Sequence, residues 1–177
     1  MTGKQDRILI VDDEGAVRRL LRLKLSSEGY QCQEAGSADQ ALDELRSNPV
    51  ELVILDIKMP GKLGTELLPE IKVRYPDTAV IMATAITDTS TIIQCMKEGA
   101  HDYLTKPFNL DEVTLSVDRA LEKRRLELEN RNYQRQLEQR VEEQARKIRA
   151  SFLNAITVLA DTLEAKDIYT SGHSQRV

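Results

Sequence analysis

The sequence predicts an α/β protein, a five-stranded doubly wound parallel sheet followed by one long C-terminal helix. Two observations carry this. Up to about Phe108, short and nearly continuous apolar runs alternate with amphipathic stretches; beyond Pro107 there is no Gly or Pro from Phe108 to Ser171. Parallel strands need crossovers and those are right-handed, so five βα units in about 120 residues imply a sheet wound on both faces.

The elements run in order. "RILIV" (7–11), "VELVIL" (50–55) and "TAVIMA" (78–83) are rich in β-branched residues and continuous in hydrophobicity, as strands buried on both faces should be. "YQCQEA" and "HDYLT" supply the remaining two strands. Between them lie "AVRRLLRLKLSSEG", "SADQALDELRSN", "GTELLPEIKVRY" and "DTSTIIQCMKEG", with helical spacing and several closed by Gly or followed by Pro. The last segment opens at Asn109, a suitable N-cap with Glu112 at the third helical position. Good helix formers then continue to about Lys166, roughly 80 Å at about 1.5 Å per residue.

Apolar positions in this helix have a definite period. Leu126, Leu137, Ile148 and Leu159 are eleven apart, as are Val141, Phe152 and Leu163. Eleven residues in three turns predict a nearly straight or slightly right-handed pairing, with Asn130 and Gln144 in the stripe to fix register. So charged a helix has nothing else in this chain to cover its stripe, which points to a parallel homodimer over 109–166.

Composition sets outer bounds. The chain has 177 residues, 41% hydrophobic and 31% charged, with a net charge of −4. Interspersed charges of mild acidity, without helix-turn-helix or zinc-finger spacing, argue against nucleic acid as a partner. No apolar run approaches the roughly 20 residues of a membrane span and no signal-peptide pattern precedes the first strand, so no membrane association is expected and a cytoplasmic location is. Cys32 and Cys95, without metal-ligand spacing, are expected to be reduced thiols.

Chemistry concentrates at strand ends. Asp12 and Asp13 follow the first strand, Asp56 the third, while Thr84 ends the fourth and Lys106 the fifth. All five fall at the carboxyl edge of one sheet, near the point where strand order reverses. Carboxylates converging within about 4–6 Å repel one another by roughly 4 kcal/mol per close pair at an intermediate dielectric, so the cluster calls for a cation. Mg²⁺ suits it, as a hard ion that accepts a few carboxylates and keeps waters. A carboxylate beside Mg²⁺, faced by an ammonium and a hydroxyl, is equipped to attack a phosphoryl group and become an acyl phosphate.

"ILIVDDE", "LVILDIKMPGKLGTELL", "IMATA" and "GAHDYLTKPF" resemble the receiver domain of bacterial two-component response regulators, over residues 6–122. The resemblance implies the flavodoxin-like strand order 2-1-3-4-5 and phosphorylation of Asp56 by a histidine kinase. Mg²⁺ would be held by Asp13, Asp56 and the backbone carbonyl of Lys58, with Asp12 acting through bound water. Lys106 would pair with phosphoryl oxygens and precede a cis bond to Pro107. Thr84 would turn toward the phosphoryl group, and Tyr103 would follow it from exposed to buried, altering the face built from the fourth helix, fifth strand and fifth helix. Leu63 stands where the family usually carries an Asp before Gly64, and Lys58 and Ile86 occupy positions that tune the lifetime of the acyl phosphate. Haloacid-dehalogenase-like phosphatases also use a strand-end Asp with Mg²⁺, but carry a second Asp two residues on, where this chain has Lys58.

The final stretch, "ITVLADTLEAKDIYTSGHSQRV", is similar to the start of HD-GYP phosphodiesterase domains, which hydrolyse cyclic di-GMP with two or three iron or manganese ions. In that family the position of His173 is a metal-site residue, and Tyr169 replaces the Glu of three-metal members, which favours two metals in an intact protein. The expectation is that residues 154–177 open an output domain that the chain cuts short, with Ile168 to Val177 frayed. No later His-Asp dyad or Gly-Tyr-Pro motif is present, so the chain as given should lack phosphodiesterase activity. The alternative is a stand-alone adaptor that binds a partner through the receiver face or coil.

Overall fold

The structure, a computed structural model, describes residues 6–85 and 89–173, with side chains through residue 162. Five parallel strands, β1 (Arg7–Val11), β2 (Gln31–Ala35), β3 (Leu52–Asp56), β4 (Ala79–Thr84) and β5 (Asp102–Thr105), form one sheet in the order β2-β1-β3-β4-β5. The helices are α1 (Gly15–Ser27), α2 (Ala38–Ser47), α3 (Gly64–Arg74), α4 (Thr89–Lys97) and α5 (Leu110–His173). The predicted fold class and strand order are those observed.

Alternation along the strands explains the two-sided core. Leu9 and Val11 of β1, with Val53, Leu55, Val80 and Met82, face the layer of α2 and α3, where Ala41, Leu45, Leu67, Leu68 and Ile71 are buried. Ile8, Ile10, Ile54 and Ile81 face the opposite layer, filled by Leu21 and Leu25 of α1 and by Val113, Val117 and Leu121 of α5. Burying one such side chain is worth about 1.5–3 kcal/mol, so each strand is held from both sides. That double burial is why the strands read as unbroken apolar runs rather than as alternating ones.

Local chemistry sets the helix ends. The α1 and α4 segments stop at Gly29 and Gly99, both with positive φ (96° and 103°) that a residue with a Cβ rarely adopts. Ser37 caps α2 by accepting the Gln40 N–H at 3.3 Å. At α3, Leu63 holds the N-cap position without an oxygen to offer, while Glu66 Oε2 reaches back to accept its N–H at 3.0 Å. Pro69 lies inside α3 and removes one rung of its ladder, yet the helix continues because Leu67, Leu68 and Ile71 anchor it to the sheet. Asn109 caps α5 as expected, its Oδ1 accepting the Asp111 N–H at 3.1 Å.

The chain divides into two compact units, the first reaching Leu128 and the second starting at Glu129. Helix α5 extends to His173, seven residues beyond the expected end near Lys166, so Ile168 to His173 are part of it. The uninterrupted run of non-Gly, non-Pro residues as far as Ser171 accounts for this. Ser174 to Val177 lie outside the described residues. Within the second unit the stripe residues Leu137, Val141, Ile148, Phe152 and Leu159 are all exposed in the single chain. No helix among the described residues is long and apolar enough to cross a membrane.

His101 joins β4 to the start of β5. Its backbone N–H donates to the Val80 carbonyl at 2.7 Å, and its Nδ1 accepts the Val80 N–H at 3.3 Å. Nδ1 must therefore be unprotonated, and burial, aided by Lys72, lowers the imidazole pKa below its usual value despite Glu127. Between that lowered value and the ordinary one near 6.5, the unfolded chain binds a proton that the folded chain does not. Stability contributed by His101 is thus complete above that ordinary value and is lost as pH falls. Urea unfolding at pH 7.5 and 5.5 should show a loss specific to the wild type, on the order of 1 kcal/mol, that His101→Asn does not share; equal losses in both proteins would remove His101 from the pH response.

Candidate functional site

The strand order makes the site. The chain passes from β1 outward to β2 and then crosses to β3 on the other side of β1, so a crevice opens where the ends of β1 and β3 meet. Asp12 and Asp13 leave the end of β1 and Asp56 ends β3, placing the three carboxylates at the mouth of this crevice. One oxygen from each lies within 4.8 Å of the others. Asp12 and Asp56 are buried, and Asp13 is exposed.

Lys106, just past β5, brings a positive charge across the sheet. Its Nζ lies 2.6 Å from Asp12 Oδ2 and 2.9 Å from Asp56 Oδ1. The contact to Asp12 Oδ2 is a close ion pair with a buried oxygen, so the lysine charge falls directly on that carboxylate. Asp12 Oδ1 is engaged differently, accepting the Glu14 N–H at 2.9 Å. The backbone N–H of Lys106 donates to the Thr84 carbonyl at 2.8 Å, which ties the lysine to the end of β4 beside the buried Thr84. The peptide bond between Lys106 and Pro107 is cis, as expected.

Charge does not balance here. Three carboxylates meet the Lys106 ammonium, an excess of two negative charges if all are ionised. The Asp56 pKa is raised, first by burial, with Asp12 and Asp13 adding to it and Lys106 opposing. For Lys106, burial disfavours the ammonium, but Asp12 and Asp56 together outweigh it and hold the pKa above the ordinary lysine value. A pocket that pushes a carboxyl toward its protonated form while stabilising a cation has room for more positive charge. Three converging carboxylate oxygens, with more negative charge than one ammonium offsets, fit a hard divalent ion such as Mg²⁺.

Other positions singled out in the sequence lie further from this cluster or at its rim. Lys58 is exposed two residues past the end of β3, in the loop leading to α3. Tyr103 stands half-exposed on the edge strand β5. His173 is the last helical residue of α5, and its side chain lies outside the described residues, as does Ile86. Both cysteines are free thiols, Cys95 buried and Cys32 partly so.

Two residues matter here that sequence reasoning did not single out. A Cβ on Gly64, the first residue of α3, would sit 2.1 Å from the Asp56 carbonyl oxygen, so only glycine lets α3 begin against the end of β3. Arg18 Nη1 donates to the carbonyls of Asp12 at 2.6 Å and Asp13 at 3.1 Å. Its signal was available: a helical side chain leans toward its own N-terminus, so an Arg in the first turn can reach back to the loop before it.

Comparison with known proteins agrees with this geometry. Residues 8–118 match the family model described as the response regulator receiver domain. The DNA-binding transcriptional regulator NtrC of Klebsiella pneumoniae is 39% identical over 112 residues, covering 63% of this chain and 24% of that protein. The chain thus spans about a quarter of the length of the curated relatives it matches. A CheY-like receiver domain from Methanospirillum hungatei superposes with a TM-score of 0.67 at 30% identity, covering 70% of this chain and 99% of that one. The signal receiver domain of an HD domain-containing protein from Pseudomonas fluorescens Pf-5 does so at 0.66 and 34%, covering 69% and 98%.

Because its environment disfavours the charged form of Asp56, the folded state takes up that proton more readily than the unfolded chain. Metal-free stability therefore falls as pH rises from the ordinary carboxyl value through the raised one. Asp56→Asn should raise the unfolding free energy measured with urea in chelator at pH 7.5, by on the order of 1 kcal/mol, the relief of repulsion less what is lost to Lys106. Gly64→Ala should lower it in the same assay, by about 1–3 kcal/mol for the clash; an unchanged midpoint for Gly64→Ala would contradict the close approach.

Proposed function

This chain belongs to the response regulator receiver family, and from that premise we propose that Asp56 accepts a phosphoryl group from a histidine kinase and that α5 conveys the change to an output domain. The observation that supports the phosphoacceptor role best is the convergence of Asp12, Asp56 and Lys106 in one buried cluster at the switch point of the sheet.

Each group offers a distinct part of the chemistry. An Asp56 carboxylate oxygen attacks phosphorus in line, the bond from phosphorus to the donor nitrogen breaks, and the leaving imidazole takes up a proton. The ammonium of Lys106 stays against the phosphoryl oxygens and offsets their charge, and the Thr84 hydroxyl hydrogen-bonds to them from the end of β4. Mg²⁺ held by Asp13, Asp56 and the Lys58 carbonyl, with Asp12 reaching it through water, supplies a second centre of positive charge when bound. Asp12 and Asp13 keep the pocket too negative to hold a phosphoryl group without such a cation. The inward turn of Thr84 empties space into which the half-exposed Tyr103 can move, which would alter the surface of α4, β5 and α5. Both states exist beforehand, and phosphorylation shifts them by its differential interaction with each.

The stripe along α5 supports a parallel homodimer through this helix. An eleven-residue repeat that leaves Leu137, Ile148 and Leu159 exposed on one chain suits the same face of a second copy. For the output, the "LEAKDIYTSGHSQRV" segment favours an HD-GYP phosphodiesterase with His173 as one ligand of a two-metal iron or manganese centre. The likeness to the receiver of an HD domain-containing protein supports it. A DNA-binding output, the kind named for the NtrC relatives, is the second reading; matches of 112 and 125 residues are about the length of the receiver itself and speak less to the region C-terminal to it. In-frame sequence after codon 177 separates these readings: a His-Asp dyad with a Gly-Tyr-Pro motif favours the phosphodiesterase, a helix-turn-helix favours DNA binding, and neither favours the adaptor.

Incubation with a small phosphodonor and Mg²⁺ should add one phosphoryl mass to the wild type and none to Asp56→Asn, and stoichiometric labelling of the variant would sink the assignment. In sedimentation, the full chain should run as a dimer, and the double substitution Leu137→Lys with Ile148→Lys should run as a monomer. Identical behaviour of the two proteins would remove the helix stripe as the interface.

A further inference from the structure

The loop that carries two of the pocket carboxylates is held from behind. Asp12 N–H donates to the Ala35 carbonyl at 3.2 Å, and the Glu14 N–H fixes Asp12 Oδ1, but the carbonyls of Asp12 and Asp13 are met by a side chain, the guanidinium of Arg18. That guanidinium is itself located. Its Nε lies 3.3 Å from Glu34 Oε2, while the other oxygen of Glu34 is 2.8 Å from Arg22 Nε. Two glycines give the fork its space: a Cβ on Gly36 would fall 3.3 Å from Arg18 Nη1, and one on Gly15 would fall 3.4 Å from Arg18 Nη2.

We propose that Arg18, oriented by Glu34, is a positioning residue for the cation site, fixing the Asp12–Asp13 backbone so that both carboxylates face the pocket. This rests on the reading of that pocket as a Mg²⁺ site. Two N–H bonds of Nη1 reach successive carbonyls from a planar group whose Nε lies against Glu34, and together they set the height and the rotation of this turn. Freed of the fork, the turn can rotate its carbonyls inward, and the Asp13 carboxylate, exposed and without the Glu14 tether of Asp12, is the one that loses its aim. The carboxylate of Glu34 offsets the Arg18 charge, so the arginine sits beside the acidic cluster without acting as its counter-ion. Glu34 lies on β2 and the carboxylate loop follows β1, so the edge strand β2 helps to set the metal geometry although it contributes no ligand.

The test is a Mg²⁺ titration of the full-length chain by calorimetry, with urea unfolding of each variant in chelator. Arg18→Gln should bind Mg²⁺ about tenfold more weakly than wild type, in the range typical for loss of an outer-shell partner. Arg18→Lys should recover part of that loss, and Arg19→Gln, on the exposed face of the same helix, should bind as wild type. Gly36→Ala, which crowds Nη1 while leaving Arg18 in place, should weaken binding in the same direction and serves if Arg18→Gln does not fold. A purely structural role would lower the urea midpoint of Arg18→Gln and leave the affinity of the folded protein unchanged; that result, or Arg19→Gln weakening binding equally, overturns the proposal. Failure of the wild type to bind Mg²⁺ would instead overturn the site reading on which it rests.

Discussion

The organising constraint in this molecule is uncompensated negative charge held at one edge of a sheet. Burying Asp12 and Asp56 beside Asp13 is costly, and the fold tolerates it because Lys106 is delivered from the far side of the sheet. That delivery depends on the order β1-β3-β4-β5: the carboxylates leave two adjacent strands, and the lysine crosses over the end of β4, tied to the Thr84 carbonyl on the way. The apolar layers on either face make the strand ends rigid enough for such a cluster to persist. The charge that makes the pocket costly when it lacks a cation also makes it receptive to a divalent ion.

Most of the fold was legible in the sequence because its signals are redundant. The runs at 7–11, 50–55 and 78–83 could only be doubly buried strands, and the cap at Asn109 marked the start of the last helix to the residue. The cluster was legible as well, since strand-end residues in an α/β sheet are brought together by topology alone, and topology follows from the pattern. Less visible was whatever depends on reach and clearance. One of two adjacent arginines, Arg18, grips loop carbonyls while Arg19 is exposed on the same helix, and nothing in the letters separates them without the helical phase. The close approach of Gly64 to Asp56 was equally hidden, because a glycine at a helix start reads as an ordinary cap. Helix α5 also outruns its expected end, since sequence gives strong stop signals only where Gly or Pro intervenes.

The two units obey different rules of stabilisation. The first closes its core within one chain, so its boundaries are set by buried side chains such as Val117 and Leu121. The second carries a regular apolar stripe with no complement among its own described residues. The sheet domain, by contrast, covers its apolar residues in two layers of its own.

The contact between Gly64 and the Asp56 carbonyl also bears on how this chain can change over generations. Leu63 replaces the more usual acidic residue with no geometric penalty, because its neighbour Glu66 takes over part of the capping. One residue further on, any side chain at all would have to displace the backbone of Asp56. Adjacent codons therefore differ sharply in their freedom: the first can drift and adjust the loop, while the second is closed to every single substitution that leaves the chemistry where it is. Diversification of this pocket has to proceed around residue 64 and never through it.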